Sequence, residues 1–320
     1  MRCFLSQAIP FSLLGAALLS FALTGCGPTK PSGGGGGGTG SGTTGGTTGT
    51  TDGETGGTTG GGETGGTSGG GETGGGVAVA GEWGTLKGRF LYGGDPPEQA
   101  PANVTGDDAA YCNPHMPKIE RLVVNPENKG VRDVIITFSP ATGEKYDVHE
   151  SYAASAGDFV TLDNKGCTFV PHVVLCRLGQ QLKVLNSDTV GHNTKIDTTA
   201  SPGFNSIVPA GGEVDVPKFK GEERLPASVS CSIHTWMTAK LVVKEHPYMA
   251  VTDEDGNFEI ANLPSGTWSF QVWQESAGYV AKVQREGKEE SWARGKVELT
   301  IAPGDNSLGD VTIPAAAFTP

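Results

Sequence analysis

Between residues 231 and 237 the chain reads Cys231-Ser232-Ile233-His234-Thr235-Trp236-Met237. A thiol, an imidazole and a thioether within seven residues are a soft donor set. Sulfur with imidazole suits copper, and two His with one Cys and a weak axial Met is the arrangement of one-electron copper sites. Such a site needs a second imidazole from elsewhere, so the fold has to bring a remote residue to this loop. His192 is the candidate. The apolar run Leu182-Lys183-Val184-Leu185 passes into the polar turn Asn186-Ser187-Asp188, and the turn leads to His192-Asn193.

From residue 83 onward no long segment has helical periodicity. Short runs rich in Val, Ile, Phe and Thr, separated by Gly, Pro, Asn and Asp, predict an all-β protein. Strands are expected at Thr85 to Tyr92, with Leu86, Gly88, Phe90 and Tyr92 on one face, at Arg121 to Val124, and at Val131 to Phe138. Residues 93–118 read as a long loop, and 139–160 carry no clear pattern.

The order Phe169-Val170-Pro171, Gly179-Gln180, Asn186, His192-Asn193, then Cys231-x2-His234-x2-Met237, resembles the cupredoxins of the plastocyanin and amicyanin kind. The resemblance covers about 75 residues, and the short ligand loop is most similar to amicyanin. It implies a Greek-key β-sandwich over 161–245 holding one copper ion of type 1 through His192, Cys231, His234 and Met237. It also implies that Asn193 and Ser232 tie the two ligand loops together and that the ring edge of His234 is the electron's way out. The chain departs from the family by lacking a proline before His192 and after Cys231, and by lacking an aromatic residue in Ala227-Ser228-Val229-Ser230.

Beyond the copper-like segment, Thr252-Asp253-Glu254-Asp255-Gly256-Asn257-Phe258 reads as a hairpin turned at Asp255-Gly256. Leu263-Pro264-Ser265-Gly266 breaks the chain again, and Trp268, Phe270 and Val272 alternate onto one face. This pattern resembles the carboxypeptidase-regulatory or transthyretin-like sandwich, an accessory and non-catalytic module. It implies a sandwich over 83–160 and 246–318, discontinuous with the cupredoxin-like domain inserted in a loop; the alternative is three modules in tandem.

Residues 1–25 form an export signal: Arg2, an apolar run from Phe11 to Leu23, then Leu23-Thr24-Gly25-Cys26. The run is too short and wrongly flanked for a membrane span. Its end resembles a bacterial lipoprotein cleavage box, which implies a lipid on Cys26 and a protein held at the cell envelope, on the outer membrane's periplasmic face or the cell surface. Residues 26–82 are dominated by Gly, Thr and Ser, with Gly-Glu-Thr-Gly-Gly recurring at 53–57, 62–66 and 71–75. Such a segment cannot offset its ordering entropy and reads as a tether, with a reach of roughly 40 Å.

The chain carries 23 Lys+Arg against 35 Asp+Glu, a formal net charge of −12. That argues against nucleic acid and suits docking to a basic redox protein such as a c-type cytochrome. Of the six cysteines, Cys3 leaves with the signal, Cys26 is assigned to lipid and Cys231 to metal. Cys176, in Val173-Val174-Leu175-Cys176, reads as a buried thiol. Cys112 and Cys167 lie in polar loops of an exported chain, which predicts a disulfide between them. His115 near Cys112 and Met116, His149, His172 and His246 read as ordinary histidines, His172 as a surface one. Asp253 to Asp255 lack calcium-loop spacing. No hydrolytic or phosphate-loop pattern is present, so a non-enzymatic role is expected. Zinc is the rival metal, although it has no use for Met237. A metal-free binding or structural sandwich protein, and a copper storage or delivery protein, are the rival functions.

Overall fold

The computed structural model describes residues 81–318. Cys26, the export signal and most of the Gly/Thr-rich segment lie outside them. The described residues are nearly all β, in four sheets.

Two of these sheets form an outer sandwich from both ends of the described chain. In the first, Trp83–Gly93 pairs antiparallel with Asn257–Pro264 and parallel with Gly304–Pro314. In the second, Ile135–Phe138 lies between Met249–Val251 and Gly266–Gln274. Phe138 is fully buried between them and meets the rings of Tyr146, His246, Tyr248, Trp268 and Phe270. The outer sandwich is therefore discontinuous, and residues 159–244 form a second sandwich within its span. There Thr168–Val170, Phe159–Lys165, Gln181–Asn186 and Glu213–Asp215 make one sheet. Val173–Arg177, Thr238–Lys244, Ala227–Ser230, His192–Asp197 and Phe204–Val208 make the other. Its core is mostly aliphatic, with Leu162, Val174, Leu182, Val184, Ile196, Val229 and Leu241 around the ring of Phe169. A third cluster, with Ile135, Val173 and Val242 at its centre and Trp273 against it, joins the two sandwiches.

Three local expectations change. Arg121 to Val124 is not a strand; Val124 makes one isolated bridge to Val131. The side chain of Asn125 accepts from the N–H groups of Glu127 and Asn128, and Lys129 and Asp133 adopt left-handed φ, so the chain bends where a strand would run. For the same reason the strand expected from Val131 begins only at Ile135. The segment around Asp255-Gly256 is a turn but not a hairpin, because its two flanking strands enter different sheets. Thr252 accounts for this: its hydroxyl donates to the Val131 carbonyl and accepts from the Val134 N–H, which binds the turn to a different partner. Gly256 has φ +80°, and a Cβ there would sit 2.2 Å from the Phe90 carbonyl oxygen; only glycine fits.

The loop expected with the outer sandwich does not stay there. It contains a short helix, Ala109–Cys112, and Val104, Tyr111 and Cys112 pack on the core of the inserted sandwich. Cys112 and Cys167 are joined by a disulfide, which fixes this loop to the turn between Phe159–Lys165 and Thr168–Val170.

Candidate metal centre

Backbone pairing positions the donors. Ser230 pairs with Thr238 across two neighbouring strands, so residues 231–237 form the loop between them. That loop is closed by hydrogen bonds from Cys231 N–H to the Met237 carbonyl (3.1 Å) and from Met237 N–H to the His234 carbonyl (2.9 Å). His192 opens the next strand of the same sheet, paired with Val208. Strand order alone thus brings His192 beside a loop that lies 39 residues further on at its start.

The side chains converge in a buried pocket. The Nδ1 atoms of His192 and His234 are 2.9 Å apart, and Cys231 Sγ is 4.0 Å from His234 Nδ1. His192, Cys231 and His234 have donor atoms all within 4.8 Å of one another. Met237 is also buried, in the same cluster as Cys231. Two amides donate to the sulfur, from Asn193 and from His234, each at 3.3 Å. Asn193 Oδ1 accepts from the Ser232 N–H at 3.1 Å. These two residues therefore join the ends of the two donor segments.

Two carboxylates, absent from the expected site, hold the rings. Asp188 Oδ2 lies 2.8 Å from His192 Nε2, and Asp108 Oδ2 lies 3.1 Å from His234 Nε2. A carboxylate only accepts, so each Nε2 carries a proton, and in a neutral ring the Nδ1 then carries a lone pair. Two buried lone pairs facing each other repel unless a proton or a cation sits between them. A thiol beside that point makes the donor set fit a soft or borderline metal ion. Metal-bound imidazoles are commonly oriented by a carboxylate on the other nitrogen in this manner.

Burial holds the His192 imidazole below its usual range, against the upward pull of Asp188, which keeps it neutral and able to donate. Burial pushes the Asp188 carboxyl up. The backbone N–H groups of Cys167 and Gly166, with His192 and Tyr111, outweigh it and hold Asp188 below the usual carboxylate range.

The ring edge of His234, expected as the way out, is not open. The residue is 2% exposed, its Nε2 meets Asp108, and Trp236 packs at 5.1 Å between ring centroids. A second group, Cys167 with Asp188 and His192, has donor atoms within 4.8 Å of one another, but the Cys167 sulfur is in the disulfide. Asp188 could have been suspected from its place four residues before His192. Asp108 gives no such signal, since only the disulfide-fixed loop brings it across.

The other histidines stand apart. His115 is exposed and packs on Tyr111. His149 accepts from the Ser151 N–H. His172, expected at the surface, is 5% exposed and lies 2.8 Å from Glu275 at the junction of the sandwiches. The outer sandwich, through Glu275, covers it. His246 is buried among Phe138, Tyr146 and Tyr248. Cys176 is buried, which pushes its thiol up to about 11.

No protein-family model matches the chain, and no curated relative matches it. Among solved structures, a copper-containing nitrite reductase from Thermus scotoductus SA-01 is similar at 20% identity and a TM-score of 0.24, over 33% of this chain and 25% of that one. The chain thus spans about a quarter of that enzyme. A purple cupredoxin from Nitrosopumilus maritimus is similar at 18% identity and a TM-score of 0.22, over 27% of this chain and 98% of that one. Amicyanin from Paracoccus versutus is similar at 15% identity and a TM-score of 0.23, over 34% of this chain and 96% of that one.

Proposed function

We propose that this chain is a mononuclear copper protein that carries single electrons in the bacterial cell envelope. Cys231, His192 and His234 are its strong ligands and Met237 its weak fourth. The observation that supports it most is the pair of opposed imidazole nitrogens, 2.9 Å apart beside a buried thiol.

Copper, when bound, supplies a one-electron couple with sulfur and nitrogen donors that suit both oxidation states. The residues do the rest. Asp188 and Asp108 fix the tautomer and tilt of each ring. The amides of Asn193 and His234 hold the sulfur, and hydrogen bonds at that position tune the potential of a thiolate-bound metal. The surrounding aliphatic core keeps water out. Donors held this tightly move little when charge changes. Zinc could take the thiolate and both imidazoles but would leave Met237 idle.

The lipoprotein-like sequence at Cys26 and the Gly/Thr-rich composition after it support a location on a membrane surface, within reach of a small basic redox protein such as a c-type cytochrome. The acidic charge of the chain favours that encounter and disfavours nucleic acid. Catalysis has no place in this reading.

The test is a visible spectrum of the protein after addition of Cu(II), with the metal counted by mass spectrometry. One copper per chain and an intense thiolate-to-copper band, both lost in Cys231→Ser, are expected. A colourless protein without stoichiometric copper overturns the reading. Copper without reversible voltammetry replaces electron transfer by storage or delivery.

A further inference from the structure

We propose that Asp108 is a positioning residue that locks the His234 ring from outside the sandwich, and that the Cys112–Cys167 bond holds it in place as a fixed lid over the donor set.

Asp108 precedes the helix Ala109–Cys112, where an aspartate commonly caps the helix with its own carboxylate. Here no side-chain cap is made. The Asp108 backbone carbonyl instead accepts from Tyr111 N–H and Cys112 N–H, each at 2.9 Å. The carboxylate is left free to reach His234 Nε2 at 3.1 Å. Three residues on, the Tyr111 hydroxyl donates to Asp188 Oδ1 at 3.0 Å, and the other oxygen of Asp188 holds His192. One short segment therefore supports both imidazoles.

The disulfide ties that segment down at its far end. Its partner Cys167 is itself part of the support. The Cys167 N–H donates to Asp188 at 2.9 Å, with Gly166 N–H on the other oxygen, and the Cys167 carbonyl accepts from Trp236 Nε1 at 3.1 Å. Trp236 belongs to the donor loop. With the lid in place His234 and Cys231 are each only 2% exposed. A lid built this way slows exchange of whatever ion the donors hold and keeps small reagents from the Cys231 sulfur. The part concerning the ion rests on the copper reading; the shielding of the sulfur does not.

The test uses the full chain in detergent, metal-free, with its disulfide intact. Iodoacetamide labelling of Cys231 is timed by mass spectrometry, with buried Cys176 as the reference for general unfolding. Asp108→Ala is expected to label Cys231 roughly tenfold faster, the loss of one hydrogen bond to a charged group, while Cys176 stays protected. Asp108→Asn keeps an acceptor for the Nε2 proton and should remain near the wild type. The double variant Cys112→Ser with Cys167→Ser should match Asp108→Ala. In copper-loaded protein, Asp108→Ala should lose metal to a chelator about 10–100-fold faster.

Unchanged Cys231 labelling in Asp108→Ala, with Cys176 protected, overturns the proposal. Where Cys176 labels alongside, exchange of the His234 Nε2 proton in the wild type decides by NMR: protection supports the lid and fast exchange overturns it. A chain that labels as expected but takes up no copper sinks the copper reading and leaves the lid standing.

Discussion

The inserted sandwich has buried histidines and carboxylates at two places, and the two are solved differently. At the proposed metal end, Asp188 and Asp108 each lie against one Nε2, and the two Nδ1 atoms face each other at 2.9 Å. At the junction with the outer sandwich, the charges close on themselves. His172 meets Glu275 at 2.8 Å, Lys240 meets Glu275 at 3.3 Å, and Arg132 meets Glu120 at 2.7 Å and Asp133 at 2.9 Å. Both places are buried and polar; at the junction His172 Nδ1 has no hydrogen-bond partner, whereas at the other place two imidazole nitrogens and a thiol face one another.

The two places also differ in how they are fastened. The metal end is held by a covalent bond across 55 residues of sequence, the junction by ion pairs and a small apolar cluster. The largest effect that tests this difference comes from the disulfide. Replacing Cys112 and Cys167 by serine should cost about 4 kcal/mol, from the chain entropy returned to the unfolded state. Denaturant unfolding of the two proteins under identical conditions measures it. A loss below 1 kcal/mol would show that packing of Tyr111 and Val104 already holds the loop.

Next comes Glu275→Ala. It leaves His172, Lys240 and Arg121 without their shared anion, and removing one member of a buried pair costs about 3 kcal/mol. The copper-dependent spectrum should not change, since Glu275 touches none of the proposed ligands. A shifted spectrum with unchanged stability would reverse the roles assigned to the two places.

The sequence carried the metal end further than the junction, and the reason is locality. Cys231, His234 and Met237 lie on one short loop, so spacing alone announces them. His192 could be paired with them because it follows an apolar strand and a polar turn. Asn193 and Ser232 sit next to His192 and Cys231 and inherited their place. Asp108 was hidden because 123 residues and a disulfide separate it from Cys231. His172 was misread for a similar reason. Its burial comes from Glu275 and Glu120, on segments that meet it only when the discontinuous outer sandwich closes. Alternation predicted Trp268, Phe270 and Val272 on a core face, and all three are buried. It could not predict that Thr252 would divide an apparent hairpin between two sheets.

The smallest effect is a pH slope, and it separates His172 from the other buried histidine near the junction, His246. Burial pushes the His172 pKa down, but the hydrogen bond to Glu275 and the charges of Asp133, Glu120 and Glu275 outweigh it and hold it above 6.5, despite Arg132 and Lys240 nearby. The native state then keeps a proton that the unfolded chain releases. Its contribution is complete below pH 6.5 and is lost as pH rises through the raised value. Glu275 works from the other side: burial opposes, but His172 and Lys240 hold it below 4.5, so its contribution is complete above 4.5 and is lost as pH falls through the lowered value. The pair is therefore strongest between about pH 4.5 and 6.5. Burial and Lys244 instead bring His246 down to about 4, so its effect has the opposite sign, costing stability as pH falls below 6.5. One proton corresponds to about 1.4 kcal/mol per pH unit at most. Stability measured by denaturant from pH 5 to 8 should lose its downward slope above 6.5 in His172→Gln and part of its upward slope below 6.5 in His246→Gln, the rest belonging to buried His192. If His172→Gln leaves the alkaline slope intact, the junction is held by its apolar contacts, and the contrast with the metal end reduces to the disulfide.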